Sequence, residues 1–125
     1  RDGYLYVLNQ HNGSVHWKKN FEQQLAGSPI FFNGSIFTMT TIGYLYSLNY
    51  SNQSVSWRKL FDSTTYVAPT TGNRNIFVAL KNGDVYSIHA QSGVVLWKYE
   101  SGEEILTMPS IAFGWSPVAL NLETS

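Results

Sequence analysis

Few side chains in this sequence could do chemistry, and they are scattered. The histidines are His11, His16 and His89; no His-Glu-x-x-His pattern and no carboxylate at metal-ligand spacing accompanies them. Serines abound, yet none sits in Gly-x-Ser-x-Gly, and no glycine-rich phosphate loop occurs. Cysteine is absent, which excludes disulfides, thiolate metal sites and a cysteine nucleophile. Hydrogen-bonding or exposed roles suit these histidines better than catalysis.

Two other residue classes do recur. Glu22, Asp62, Glu103 and Glu104 all fall between a tryptophan-bearing stretch and a later proline. Two readings are open: solvated loop charges, or a shallow acidic rim for a cation or a basic peptide. Asn-x-Ser sequons at Asn12, Asn33, Asn49 and Asn52 are candidate glycan acceptors, although Asn and Ser are also ordinary turn residues. Lys plus Arg and Asp plus Glu number eight each, so the formal net charge is zero. Phosphate binding needs a basic excess, so nucleic acid is not an expected partner.

These residues are set out by a repeat. Shifting the chain by 40 residues aligns Gly3, Gly43 and Gly83, then Tyr6, Tyr46 and Tyr86, without a gap. Val15, Val55 and Val95 follow, then Trp17, Trp57 and Trp97, each trailed by Lys or Arg; Pro29, Pro69 and Pro109 complete the period. Three of four tryptophans at one spacing is a strong signal. Each period reads as four short strands. In the second, strands are expected over 27–32 and 35–40 around an Asn33-Gly34 hairpin turn, then over 44–48, then over 54–58 after a turn from Asn49 to Gln53. Val55 and Trp57 alternate with Ser54, Ser56 and Arg58, the period of two of a half-buried strand. No segment holds a helical period, and no apolar run approaches the ~18 residues that span a bilayer. Gly13 and Gly93 stand where the turn before each Trp favours a positive φ. Gln53 takes that place in the second repeat, so its turn is expected to be shifted or strained by about 1 kcal/mol.

The stretch Val7-Leu8-Asn9-Gln10-His11-Asn12-Gly13-Ser14-Val15-His16-Trp17 and its two later copies resemble the tryptophan-docking motif of PQQ-like β-propellers, Ala-x-Asp-x-x-Thr-Gly-x-x-x-Trp. Spacing and Trp are kept, and the motif Asp becomes Asn9, Asn49 or His89. The resemblance implies an all-β propeller segment of about three four-stranded antiparallel blades over residues 1–125, with repeats at about 3–42, 43–82 and 83–122. It implies that Trp17, Trp57 and Trp97 dock on the neighbouring blade, that each repeat's last strand lies outermost, and that the acidic loops share one face around the central opening. A large flat ring suits such a seam.

Propellers close with about four to eight blades, so the expected companions are further blades, from a longer parent chain or a second copy. The non-catalytic expectation is a scaffold or recognition domain for a protein partner or cell surface, or a lumenal sensor. The enzymatic alternative is part of a quinoprotein dehydrogenase. That would bring PQQ and calcium and need converging acidic ligands; the vicinal cysteines of its alcohol-oxidising branch are missing. The family resemblance and the sequons favour an extracytoplasmic place. The last residues stay open: the register places Val118-Ala119-Leu120 under Val78-Ala79-Leu80, while 119–125 also reads as an early fourth docking motif.

Overall fold

The computed structural model describes residues 3–65 and 68–103 with their side chains, and the backbone of 110–112 and 119–121. Every element among these residues is a strand. The first sheet is the hairpin β1 (Tyr4–Leu8) and β2 (Val15–Asn20). The second is a four-stranded antiparallel meander of β3 (Ile30–Phe32), β4 (Ser35–Met39), β5 (Tyr44–Asn49) and β6 (Val55–Leu60). The third repeats it with β7 (Thr70–Gly72), β8 (Asn75–Ala79), β9 (Asp84–His89) and β10 (Val95–Glu100). A final pair joins β11 (Ser110–Ala112) to β12 (Ala119–Asn121). Strands β3 and β7 approach each other, which makes them the inner edge and leaves β6 and β10 outermost.

The middle sheet is buried on both faces, and the alternation of its strands shows how. Ile36, Tyr46 and Leu48 pack toward the first sheet with Leu5, Val7 and Trp17. Phe37, Met39 and Leu45 pack toward the third with Ile76, Val78 and Ile88. Successive residues of a strand point to opposite faces, so β4 needs apolar side chains at every second position for each neighbour and reads as an almost continuous run, Ile36-Phe37-Thr38-Met39. Each fully buried large side chain contributes about 1.5–3 kcal/mol.

The glycine that opens each third strand also has a spatial reason. Gly3, Gly43 and Gly83 take φ of 90°, 112° and 102°. A Cβ on them would lie 2.6, 2.6 and 2.5 Å from the carbonyl oxygens of Gln23, Ser63 and Glu103, in the loop leaving the outermost strand. Only glycine fits between these two chain segments.

The other strands of the second repeat fall within two residues of their expected bounds, and the larger departures from the sequence expectations are at two places. The innermost strand is shorter than 27–32 and begins at Ile30. Gly27 has φ of 64° and its Cα lies so close to Ala68 that an added Cβ would meet the alanine methyl at 2.5 Å, and Pro29 has no N–H to pair. At the far end, β12 pairs directly with β11 as the second strand of its sheet, not as a docking hairpin. Ala119 partners Ala112 where Asn75 partners Gly72 one sheet earlier, so β12 starts four residues beyond the 40-residue register.

Candidate functional site: the seam between blades and its outer rim

The seam is built by the turn before each tryptophan. In the first copy the Asn9 carbonyl accepts from Gly13 N–H at 2.8 Å, and its side-chain oxygen accepts from the N–H groups of His11 and Asn12 at 2.8 and 3.3 Å. Asn49 repeats this with Gln53, Ser51 and Asn52. In the third copy His89 Nδ1 accepts from Ser92 N–H at 3.3 Å. The motif position therefore requires an acceptor and not a charge. Gln53 keeps the bond to Asn49 and takes φ of 57°, so its turn is not shifted but held in the left-handed region.

Onto these turns come the indoles of the preceding sheet. Trp17 Nε1–H donates to the Tyr50 carbonyl at 2.6 Å, and Trp57 Nε1–H donates to the Ala90 carbonyl at 3.0 Å, each 33 residues on. Trp57 covers Gly93 so closely that a Cβ there would lie 2.7 Å from its Cδ2. Trp97 packs against Phe77 with centroids 6.0 Å apart, as Trp57 does against Phe37. A second row of rings crosses the same seam: Phe21 meets Tyr46 at 4.8 Å and Phe61 meets Tyr86 at 4.7 Å. Sequence reasoning missed Phe21 and Phe61, although they stand 40 residues apart and the same shift finds them.

The acidic candidates are exposed. Glu22, Asp62 and Glu103 lie in the loops that leave β2, β6 and β10, beside the glycine opening each third strand, and so on the outer half of the blades. Glu104 lies outside the described residues. Among the described residues no three His, Asp or Glu side chains gather closely enough to hold a metal ion. Asn12, Asn33 and Asn52 are exposed, whereas Asn49 is half-buried at the end of β5 with its side-chain oxygen engaged in the turn. His16 stacks on Tyr50 at 5.5 Å.

The outermost strands differ from one another. The positions held by His16 and Lys19 in β2, and by Ser56 and Lys59 in β6, carry Leu96 and Tyr99 in β10. Both are exposed, at 49% and 44%, on a strand that forms the edge of its sheet. Lys98 lies between them, 3.1 Å from Glu100 and 3.5 Å from Asp84. Its hydrogen bond to Glu100 holds the ammonium protonated well above the ordinary lysine range, helped by the nearby charges of Asp84 and Glu100.

Four-stranded meanders set face to face, each sealed to the next by an indole, are the arrangement of PQQ-like repeats. The model of the family described as outer membrane protein assembly factor BamB matches residues 1–117. The chain belongs to this family of PQQ-like β-propeller repeats. Among curated proteins no sequence matches it. Among solved structures, BamB from Moraxella catarrhalis superposes with a TM-score of 0.72 at 15% identity, over 80% of this chain and 31% of that one. The computationally designed Ika8 protein gives 0.78 at 11% identity, over 97% of this chain and 37% of its own. A europium-containing methanol dehydrogenase gives 0.67 at 17% identity, over 76% and 21%. The chain thus spans between 21% and 37% of each of these relatives, and at such identities the likeness shows the fold alone.

Proposed function

We propose that the chain is part of a non-catalytic propeller scaffold whose outer strand β10 binds a protein partner. The observation that carries this reading is the exposure of Leu96 and Tyr99 on an edge strand, at the two positions that hold His16 and Lys19 in β2 and Ser56 and Lys59 in β6. Edge strands invite pairing with a further strand; two apolar side chains where β2 and β6 hold polar or charged ones fit a partner that adds a strand and covers them. The family description as an outer membrane assembly factor supports a scaffold role, and the three exposed sequons support an extracytoplasmic place. The remaining blades come from a longer parent chain or from a second copy.

The test places a photocrosslinking amino acid at exposed Val94 in the full protein. A discrete protein adduct is expected, and it should vanish when Leu96→Ser and Tyr99→Lys import the residues of β6. An adduct that persists in the double variant, or none at all, rejects β10 as the binding edge. In a parallel arm PQQ and calcium are added with a redox dye; sustained dye reduction would place the chain with the quinoprotein dehydrogenases instead.

A further inference from the structure

Between the two complete sheets, on the side of the β3–β4 and β7–β8 turns, lies a cleft of about 530 Å³. Its floor is Phe37 and Ser47, both buried, and its walls include Asn33, Arg74, His89 and Gln91. Among the described residues of this lining, Arg74 is the one formally charged side chain and none is a carboxylate. No ion pair to Arg74 is found among the described residues.

The backbone at Arg74 is the second observation. The β3–β4 turn runs through Asn33 and Gly34 with φ of 54° and 80°; the β7–β8 turn runs through Asn73 and Arg74 with φ of 53° and 69°. Both residues of such a tight hairpin turn need positive φ, which is why glycine suits the second place. The turn facing this cleft carries an arginine there, against the preference of its backbone. Backbone strain of this kind is enriched at ligand-binding sites. Arg74 also presents its carbonyl to Ala90 N–H at 3.3 Å, and Ala90 is the residue whose carbonyl receives Trp57. That bond ties the turn to the seam, and Arg74 is exposed where it borders the cleft.

We propose that this cleft binds a carboxylate carried on a planar or apolar group. Arg74 receives the carboxylate through its paired N–H donors, a geometry that guanidinium matches and ammonium does not. Asn33 and Gln91 supply further hydrogen-bond donors, and the ring of Phe32 offers an apolar wall. Because both bounding sheets are complete in this chain, the cleft does not depend on further blades, nor on the β10 edge.

The test uses two probes with the full chain. Benzoate stands for a free acid, and a blocked Glu-Phe dipeptide stands for an acidic side chain on a peptide; benzamide and the Gln-Phe dipeptide are their neutral counterparts. Binding is read by chemical-shift perturbation of the Asn33 and Gln91 amides. At least one acid is expected to bind, with at least tenfold loss for its neutral counterpart. Arg74→Gly should raise the thermal unfolding midpoint, because it relieves the turn, while lowering affinity for the acid at least tenfold. Arg74→Lys should lose most of the affinity. Whichever acid binds identifies the source of the carboxylate. Binding by neither acid, equal binding by the neutral probes, or undiminished binding by a well-folded Arg74→Gly variant would each overturn the proposal.

Discussion

Gln53 and Gly93 occupy the same place in two successive turns, and their difference is measurable. Gln53 holds a left-handed φ of 57° with no glycine to ease it. Replacing it by glycine should stabilise the protein by about 1 kcal/mol, seen as a higher urea midpoint with an unchanged slope. The opposite exchange separates backbone strain from contact. Gly13→Ala places a methyl in open space, so it should cost only the left-handed penalty of about 1 kcal/mol. Gly93→Ala drives a methyl to within 2.7 Å of the Trp57 ring and should cost clearly more than Gly13→Ala in the same assay. Equal costs would mean that the indole does not rest on this turn. At Trp57 itself, Phe keeps much of the ring and loses the bond to Ala90, a change of about 1 kcal/mol, whereas Ala should cost about 3–5 kcal/mol.

The hairpins were the part of the fold legible in the sequence, because their marks are local and repeated. Gly43, Tyr46, Val55 and Trp57 announce β5, its turn and β6 within one short stretch, and the 40-residue copies remove chance. The first strand of each sheet was less legible. Its start at Ile30 reflects Pro29, a local mark that sequence reasoning passed over, together with Ala68 pressing on Gly27 from another blade, which no local pattern encodes. The Asn9, Asn49 and His89 acceptors could be found from the motif, while the cleft beside Arg74 could not. It is assembled from turns of two sheets; the 40-residue shift lays Arg74 on Gly34 of a hairpin turn, but nothing local brings it beside Phe37 and Ser47. The sequons illustrate the same limit: four turn asparagines look alike in sequence, yet Asn49 is half-buried with its side-chain oxygen engaged. Native protein carrying glycan should therefore show occupancy at Asn12, Asn33 or Asn52 ahead of Asn49 by peptide mass mapping.

At the scale of the molecule, the described strands make two complete sheets flanked by an outer pair, β1–β2, and an inner pair, β11–β12. Among the described strands β1 pairs with β2 alone, and Leu8 within it is 51% exposed. Such an edge invites pairing. Light scattering on this chain is expected to report particles heavier than the 14.1 kDa monomer, and a stable monomer at high concentration would count against it.

The offset between covalent repeat and sheet has its own consequence. The stretch 43–82 supplies β5 and β6 to one sheet and β7 and β8 to the next, so the backbone itself crosses every seam. Suppose a protease severs the crossing between Ser63 and Thr64. The halves remain latched by the Trp57 indole under the Ala90 carbonyl and by Phe61 against Tyr86. Nicked protein should then travel as a single body through a sizing column and fall into two bands only in detergent, like a zip whose tape is cut while its teeth still mesh.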